Sequence, residues 1–368
     1  MEKNQIIRIG GRDYRALTRR LLQAANLGEL LPQEVTVGIK PNLVSPTPAS
    51  WGATTHPEVV AGIVDYLREQ GVRRIVVLEG SWVGAKTSES FVECGYVDLA
   101  RELDLELWDM QQDSASIRDC AGMELSICAK VSALDFLINV PVLKGHCQTK
   151  LTCALKNLKG LIPNREKRRF HALGLHKPIA HLAAGVRPDF TVVDHICGDL
   201  NCEDGGHPME RNCLMAALDP VLVDAYACSL LGMDTSEVPY IGMAESLGAG
   251  CADLRRLQLI SLGDEVCEEL ARDESLVELK DAVQEVESCS ACYAYLLPAL
   301  DMLRQEGLLG ALLDKVQGKI CIGQGYRGKG GAVGIGQCTR GFDFYVKGCP
   351  PTETEIYSAL KAYIGIGE

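Results

Sequence analysis

Four short apolar runs, each ending in polar residues, constrain this chain more than any other feature. They are Val35–Lys40 (V-T-V-G-I-K), Arg74–Glu79 (R-I-V-V-L-E), Asp135–Val140 (D-F-L-I-N-V) and Phe190–Asp194 (F-T-V-V-D). Their length and β-branched content are those of buried strands. The first two are separated by H-P-E-V-V-A-G-I-V-D-Y-L-R-E-Q-G, a helix with Thr55 or His56 at its cap, Pro57 in its first turn and Gly71 at its end. Strand, loop, helix, strand predicts an α/β fold with a largely parallel sheet and helices on both faces. Ligands of such sheets bind beyond the carboxyl ends of the strands. The loops after Lys40, Glu79, Val140 and Asp194 therefore surround one crevice.

The pattern changes toward the C-terminus, and the boundary falls between about 255 and 285. Residues 1–265 form the α/β domain, and 266–368 a smaller α+β module. In the module, residues 265–315 read as helical. Residues 318–349 are glycine-dense and hold two short strands with loops, and a last helix runs from Thr354 to about Tyr363. No internal repeat or low-complexity tail is evident. A net charge of −12 and 5% aromatic content disfavour general binding to nucleic acid or an anionic membrane. No apolar stretch reaches the roughly 20 residues that span a bilayer. The N-terminal M-E-K-N-Q-I-I-R lacks the apolar core of an export signal, so a cytoplasmic location is expected.

Sixteen cysteines in such a chain point to metal binding or buried thiols rather than to a disulfide framework. Cys94, Cys120, Cys128, Cys228, Cys251 and Cys267 lie in apolar or helical patterns and read as small core residues. Four others have the pattern of a metal cage: Cys289 and Cys292 in S-C-S-A-C-Y, Cys338 in G-Q-C-T-R-G, and Cys349 in K-G-C-P-P-T. A C-x-x-C pair brings two thiolates to one centre from a single turn, and proline after a ligand cysteine is recurrent in cluster loops. Zinc suits four thiolates by geometry. The loose spacing and Cys-Pro-Pro favour a [4Fe–4S] cluster. Cys321, inside K-I-C-I-G, is a fifth candidate, ranked lower because it reads as a strand interior. Cluster and thiols together suggest an anaerobic host.

A second constellation is basic. From Lys144 to Arg187 there are ten lysines and arginines against Glu166 alone, about +9 in a chain of net charge −12. This composition suits a small anionic ligand. Lys144 and His146 follow a strand end, with Lys156, Asn157 and Lys159 beyond, and His171 and His176 farther on. His146, His171 and Lys144 are the candidate catalytic groups, because histidine moves protons near neutral pH and lysine stabilises developing negative charge. The candidate substrate-binding residues are Lys40, Asn42, His56, Ser81, Lys156, Asn157 and Lys159. Glu79 and Asp194 also lie at strand mouths. Asp219 and Asp224 read as a helix cap and a first-turn residue. No phosphate loop of the G-x-x-x-x-G-K-[ST] type is present, and G-Q-G-Y-R-G at Gly323–Gly328 does not have the Rossmann spacing.

I-K-P-N-L-V, T-T-H-P-E-V-V, the E-G-S loop, N-V-P-V-L-K-G-H, L-K-N-L-K-G and T-V-V-D together resemble the domain of unknown function 362 family, over about residues 35–250. Many members of that family look like iron–sulfur proteins, with a tight C-x-x-C-x-x-C-x-x-x-C-P, whereas the cysteines here are dispersed. The order and spacing of Lys144, His146, Lys156 and His171 are similar, more faintly, to the N-terminal domain of the lactate racemase family, and no nickel cofactor is carried over. The resemblance implies a fold and a cluster more than a reaction. The expectation is an iron–sulfur oxidoreductase of anaerobic metabolism, with one [4Fe–4S] cluster, a small anionic substrate and an electron-transfer partner protein. The alternatives are a non-redox isomerase or lyase with a structural cluster, and a non-catalytic electron or cluster carrier.

Overall fold

Alternation along each strand sends side chains to two apolar layers on opposite sides of one large sheet. Ile7, Ile9, Val37, Ile39, Ile75 and Val77 face one layer, and Ile6, Val76, Leu78, Leu137, Val193 and Met215 the other. The structure is a computed structural model that describes residues 1–146, 148–200, 205–206, 208–263, 279, 281–288 and 290–366. It divides into two compact units, Met1–Leu270 and Ala271–Glu368.

The first unit begins β1 (Gln5–Gly10), α1 (Tyr14–Ala24), β2 (Thr36–Pro41), α2 (Pro57–Glu69) and β3 (Arg74–Glu79). Helices α3 (Thr87–Glu93) and α4 (Tyr96–Glu102) lead to β4 (Glu106–Asp109), then to a hairpin of β5 (Ala115–Asp119) and β6 (Glu124–Cys128). Next come β7 (Phe136–Val140) and a small antiparallel pair, β8 (Lys144–His146) and β9 (Lys150–Thr152). Helices α5 (Ala154–Asn157), α6 (Asn164–Leu173) and α7 (His176–Gly185) precede β10 (Phe190–His195). The unit closes with β11 (Cys213–Ala217), α8 (Pro220–Leu230), α9 (Pro239–Ser246) and β12 (Gln258–Leu262).

The eight-stranded sheet has the order β12-β1-β11-β10-β7-β2-β3-β4, and β11 alone runs antiparallel to its neighbours. Leu17, Leu21, Val60, Ile63 and Leu67 of α1 and α2 cover one face. Phe170, Ile179, Leu182, Val223 and Tyr240, from α6 to α9, cover the other. The expected strands and the helix at Pro57 lie within a residue or two of their observed bounds. His56 is the N-cap residue of α2, yet its ring makes no capping bond because it turns to another partner. Among the described residues, no helix is long and apolar enough to cross a membrane.

The second unit holds β13 (Val283–Glu285), α10 (Ser290–Gln305), α11 (Leu309–Val316), β14 (Ile320–Ile322), β15 (Val333–Ile335), β16 (Phe344–Val346) and α12 (Glu353–Ile364). Its sheet runs β13-β14-β15-β16, with every pairing parallel. Residues 318–349 thus contain three strands rather than two, each only three residues long. The register pairs Cys321 with Gly334 and Ile322 with Ile335. It aligns I-C-I-G-Q-G-Y-R-G (320–328) with V-G-I-G-Q-C-T-R-G (333–341), so the module does contain an internal repeat. In both copies a strand runs into a positive-φ glycine, Gly323 or Gly336, and then a 3-10 turn. Only glycine takes that backbone at little cost. Five shared residues in nine are too few to stand out before strand pairing sets the alignment.

Candidate functional site

At the carboxyl ends of β2, β3 and β7 the family motifs meet in one buried polar node. Lys40 is fully enclosed, and its Nζ donates to Glu79 Oε2 at 2.6 Å, Pro41 O at 2.8 Å and Asn157 Oδ1 at 3.3 Å. Leu43 N and Gly80 N donate to the two Glu79 oxygens at 3.2 and 2.6 Å. Asn157 Nδ2 donates to Asn139 Oδ1 at 2.8 Å. Burial holds Lys40 below the usual lysine range, with Glu79 acting against that. A Cβ on Gly160 would stand 1.9 Å from Glu79 Oε1 and 2.6 Å from Lys40 Nζ, so the glycine of L-K-N-L-K-G is what gives the ion pair room. Lys167, also buried, donates to Gly80 O and Ser81 O at 2.8 and 2.7 Å, and desolvation lowers it to about 8. Ser81 Oγ donates to Leu43 O at 2.7 Å.

The second node joins the loop after β2 to the carboxyl end of β10 and the residues just beyond it. His56 Nδ1 lies 2.9 Å from Asp194 Oδ2, and His56 N donates to the same oxygen at 2.8 Å. Ile196 N donates to Asp194 Oδ1 at 3.0 Å. Burial alone would lower the imidazole, but the Asp194 carboxylate outweighs it and raises His56 to about 10. The same contact holds Asp194 below the usual carboxylate range against its own burial. His56 Nε2 stands 3.6 Å from Cys197 Sγ. His195, wholly buried, is lowered by desolvation to about 4. Its Nδ1 has no hydrogen-bond partner among the described residues. The two nodes are linked through the β2 loop, where Asn42 N donates to Thr55 Oγ1, and Thr55 Oγ1 to Val140 O, both at 2.8 Å.

The other expected site residues are more dispersed. Lys144 is buried and donates to Ala53 O at 2.5 Å. His146 Nδ1 accepts from Gln148 N and Thr149 N at 3.0 and 3.1 Å, which leaves Nε2 as its proton-bearing nitrogen. Lys156 and Lys159 are half-buried, and Lys156 Nζ donates to Thr152 Oγ1 at 3.1 Å. His171 is half-buried in the last turn of α6. The basic segment is not one continuous cationic face: Lys150 pairs with Glu237 and Arg169 with Glu166, while Lys144 and Lys167 are inside. Asp219 caps α8, as expected. Asp224 is not a first-turn residue. It is buried and accepts from Ala154 N and Leu155 N at 2.6 and 3.2 Å, capping α5 across the fold, and desolvation raises it to about 7. A cavity of about 640 Å³ lies elsewhere, between α7 and α9, lined by Lys177, His181, Met243 and Leu247.

In the second unit the cysteines divide by position. Cys321 lies within β14, its Sγ 3.6 Å from Lys319 O. Cys338 follows the carboxyl end of β15 and Cys349 that of β16, while Cys292 is in the first turn of α10. A Cβ on Gly336 would stand 3.4 Å from Cys292 Sγ and 3.6 Å from Gly348 O. Gln337 N donates to Gly348 O at 2.7 Å. These three cysteines are half-buried or exposed, unlike Cys94, Cys120, Cys128 and Cys228, which are core residues as expected; Cys251 is half-buried. Cys289 and Cys267 lie outside the described residues. Among the described residues, no group of three or more His, Cys, Asp or Glu side chains is disposed to hold a metal ion.

A family model described as "Domain of unknown function (DUF362)" matches residues 37–229, the span that contains both polar nodes. The chain belongs to this family. A thylakoid-associated protein of Synechocystis is 25% identical over 241 residues, which is 63% of this chain and 74% of that protein. Among solved structures, the lactate racemase apoprotein of Thermoanaerobacterium thermosaccharolyticum aligns with a TM-score of 0.42 and 12% identity, over 63% of this chain and 57% of that one. A Thermotoga maritima protein aligns at 0.37 and 12%, over 67% and 60%. The chain thus spans less than two thirds of either solved structure. In this family member the DUF362 motifs chiefly build the buried Lys40–Glu79–Asn157 and His56–Asp194 nodes. Cys197, His195 and Lys167 were not singled out from sequence, although D-H-I-C directly after a strand was a signal for the first two.

Proposed function

We propose that this DUF362 protein is an iron–sulfur oxidoreductase that acts on a small anionic substrate. Cys289, Cys292, Cys338 and Cys349 hold one [4Fe–4S] cluster, which supplies one-electron transfer when bound. Support comes from the convergence of Cys292 with the loops that carry Cys338 and Cys349, at the carboxyl end of one parallel sheet. Gly336 leaves an open cradle against Cys292 Sγ that any side chain would fill. The thiols around it reach the surface, where the core cysteines do not. The repeat register gives Cys338 and Cys349 equivalent places, five residues after Val333 and Phe344, and puts Cys321 inside a strand instead. Lys156, within α5, and Lys159, in the turn that follows it, are half-buried and are the groups to anchor the substrate anion, with His146 and His171 as its proton carriers. A separate protein delivers the electrons.

The test is iron and acid-labile sulfide content of anaerobically purified protein, with absorption spectra before and after dithionite. Roughly four iron and four sulfide per chain, with a blue-region band that bleaches on reduction, is the expected result. Zinc without sulfide would overturn the cluster and with it the redox role.

A further inference from the structure

Cys197, His56 and Asp194 stand in the order of thiol, imidazole and carboxylate. Cys197 Sγ is 3.6 Å from His56 Nε2, and the opposite ring nitrogen is 2.9 Å from Asp194 Oδ2. Backbone N–H bonds from His56 and Ile196 fix both carboxylate oxygens. The Tyr14 ring packs on the imidazole at 5.6 Å between centroids. A thiol, an imidazole within reach and a third group that orients the ring form the arrangement that activates nucleophiles on unrelated folds. It lies beyond the carboxyl end of β10, where α/β folds place their chemistry. Two other buried thiols meet backbone carbonyls instead: Cys94 Sγ those of Ser45 and Thr47 at 3.6 and 3.1 Å, and Cys128 Sγ that of Met110 at 3.3 Å.

We propose that Cys197 is a peroxide-reactive nucleophile, with the His56 imidazolium as its ion-pair partner and proton donor and Asp194 holding that ring in place. Cys197 is only 6% exposed, so the electrophile has to be small, and hydrogen peroxide is of that size. The Asp194 carboxylate keeps His56 as an imidazolium at pH 7, so Nε2–H faces Sγ at 3.6 Å; the thiol proton, directed at rest toward Ala49 O at 3.3 Å, passes to water and leaves a thiolate paired with that cation. The thiolate then attacks one peroxide oxygen. An S–O bond forms as the O–O bond breaks, and the departing hydroxide takes the proton from Nε2 and leaves as water. Sulfur loses two electrons, becoming a sulfenic acid, and the peroxide gains them. This assignment is independent of the cluster.

The full-length chain is exposed to hydrogen peroxide at pH 7 and quenched into denaturant containing dimedone, and labelling at each cysteine is followed by peptide mass spectrometry. Cys197 is expected to oxidise at least about tenfold faster than Cys94 and Cys128 in the same molecules. His56→Asn should bring it down to their rate, and Asp194→Asn should slow it several-fold. Equal rates for the three thiols in the native chain, a comparison that needs no variant, would overturn the proposal. So would an unchanged Cys197 rate in a folded His56→Asn protein.

Discussion

Glu79→Ala tests how the family motifs hold the first unit together. The substitution leaves the Lys40 ammonium, fully buried, with two neutral acceptors, Pro41 O and Asn157 Oδ1. It also strips Leu43 N and Gly80 N of the carboxylate they share. The charge cost has a ceiling, because Lys40 can give up its proton. From the ordinary value of 10.5 to pH 7 that costs at most about 5 kcal/mol. Two buried N–H groups without a partner add about 1–3 kcal/mol each where water does not reach them. A loss of about 4 kcal/mol or more is expected, within the range for breaking a buried ion pair from one side. Trp51, Trp82 and Trp108 are the only tryptophans, and all lie in the first unit, so their fluorescence in a urea titration reports on that unit alone. With a slope of about 2 kcal/mol/M the midpoint should fall by about 2 M. The deficit should shrink as pH rises toward 10.5, because a lysine with a lowered folded value binds protons better when unfolded, and that penalty fades at high pH. Lys40→Met combined with Glu79→Leu should recover part of the loss. A single-variant cost below about 1 kcal/mol, or one that grows with pH, would refute the ion-pair account.

Gly160→Ala should destabilise the same unit by a similar order, about 3 kcal/mol, in the same titration, because its Cβ overlaps Glu79 Oε1. Gly336→Ala, at φ +87° against Cys292 Sγ, should cost about 1–2 kcal/mol and lower iron per chain, whereas Gly310→Ala, with open space around it, should leave iron content unchanged. His56 has a folded value raised from 6.5 to about 10, so its contribution is complete below pH 6.5 and is lost as pH rises to about 10. Unfolding free energy measured across that window should fall in the wild type, and less steeply in His56→Asn. Asp224, raised from 3.8 to about 7, contributes below 3.8 and loses that contribution as pH climbs through 7; Asp224→Asn should flatten the slope there.

Local pattern determined the α/β class of this chain. Strand positions, the helix at Pro57 and the final helix follow from apolar runs of strand length, from caps and from glycine stops, all of which act within a few residues. Lys40, Glu79, Asn157 and Asp194 were visible as polar residues at strand mouths for the same reason. What those residues do depended on partners 39, 117 and 138 positions away, which no local pattern encodes. Lys40, read as a substrate contact, is enclosed with Glu79 because Gly160 leaves room for the pair. Asp224 is a cap for a helix seventy residues earlier. The repeat around Cys338 emerged only when parallel pairing set Ile322 beside Ile335. The Cys197 sulfur acquired an imidazole neighbour because folding carried His56, 141 residues distant, to it. Sequence therefore determined the elements and their order, since propensity and periodicity are local. Tertiary structure alone decided which polar groups are neighbours and which are shut off from water, and those two facts set their chemistry.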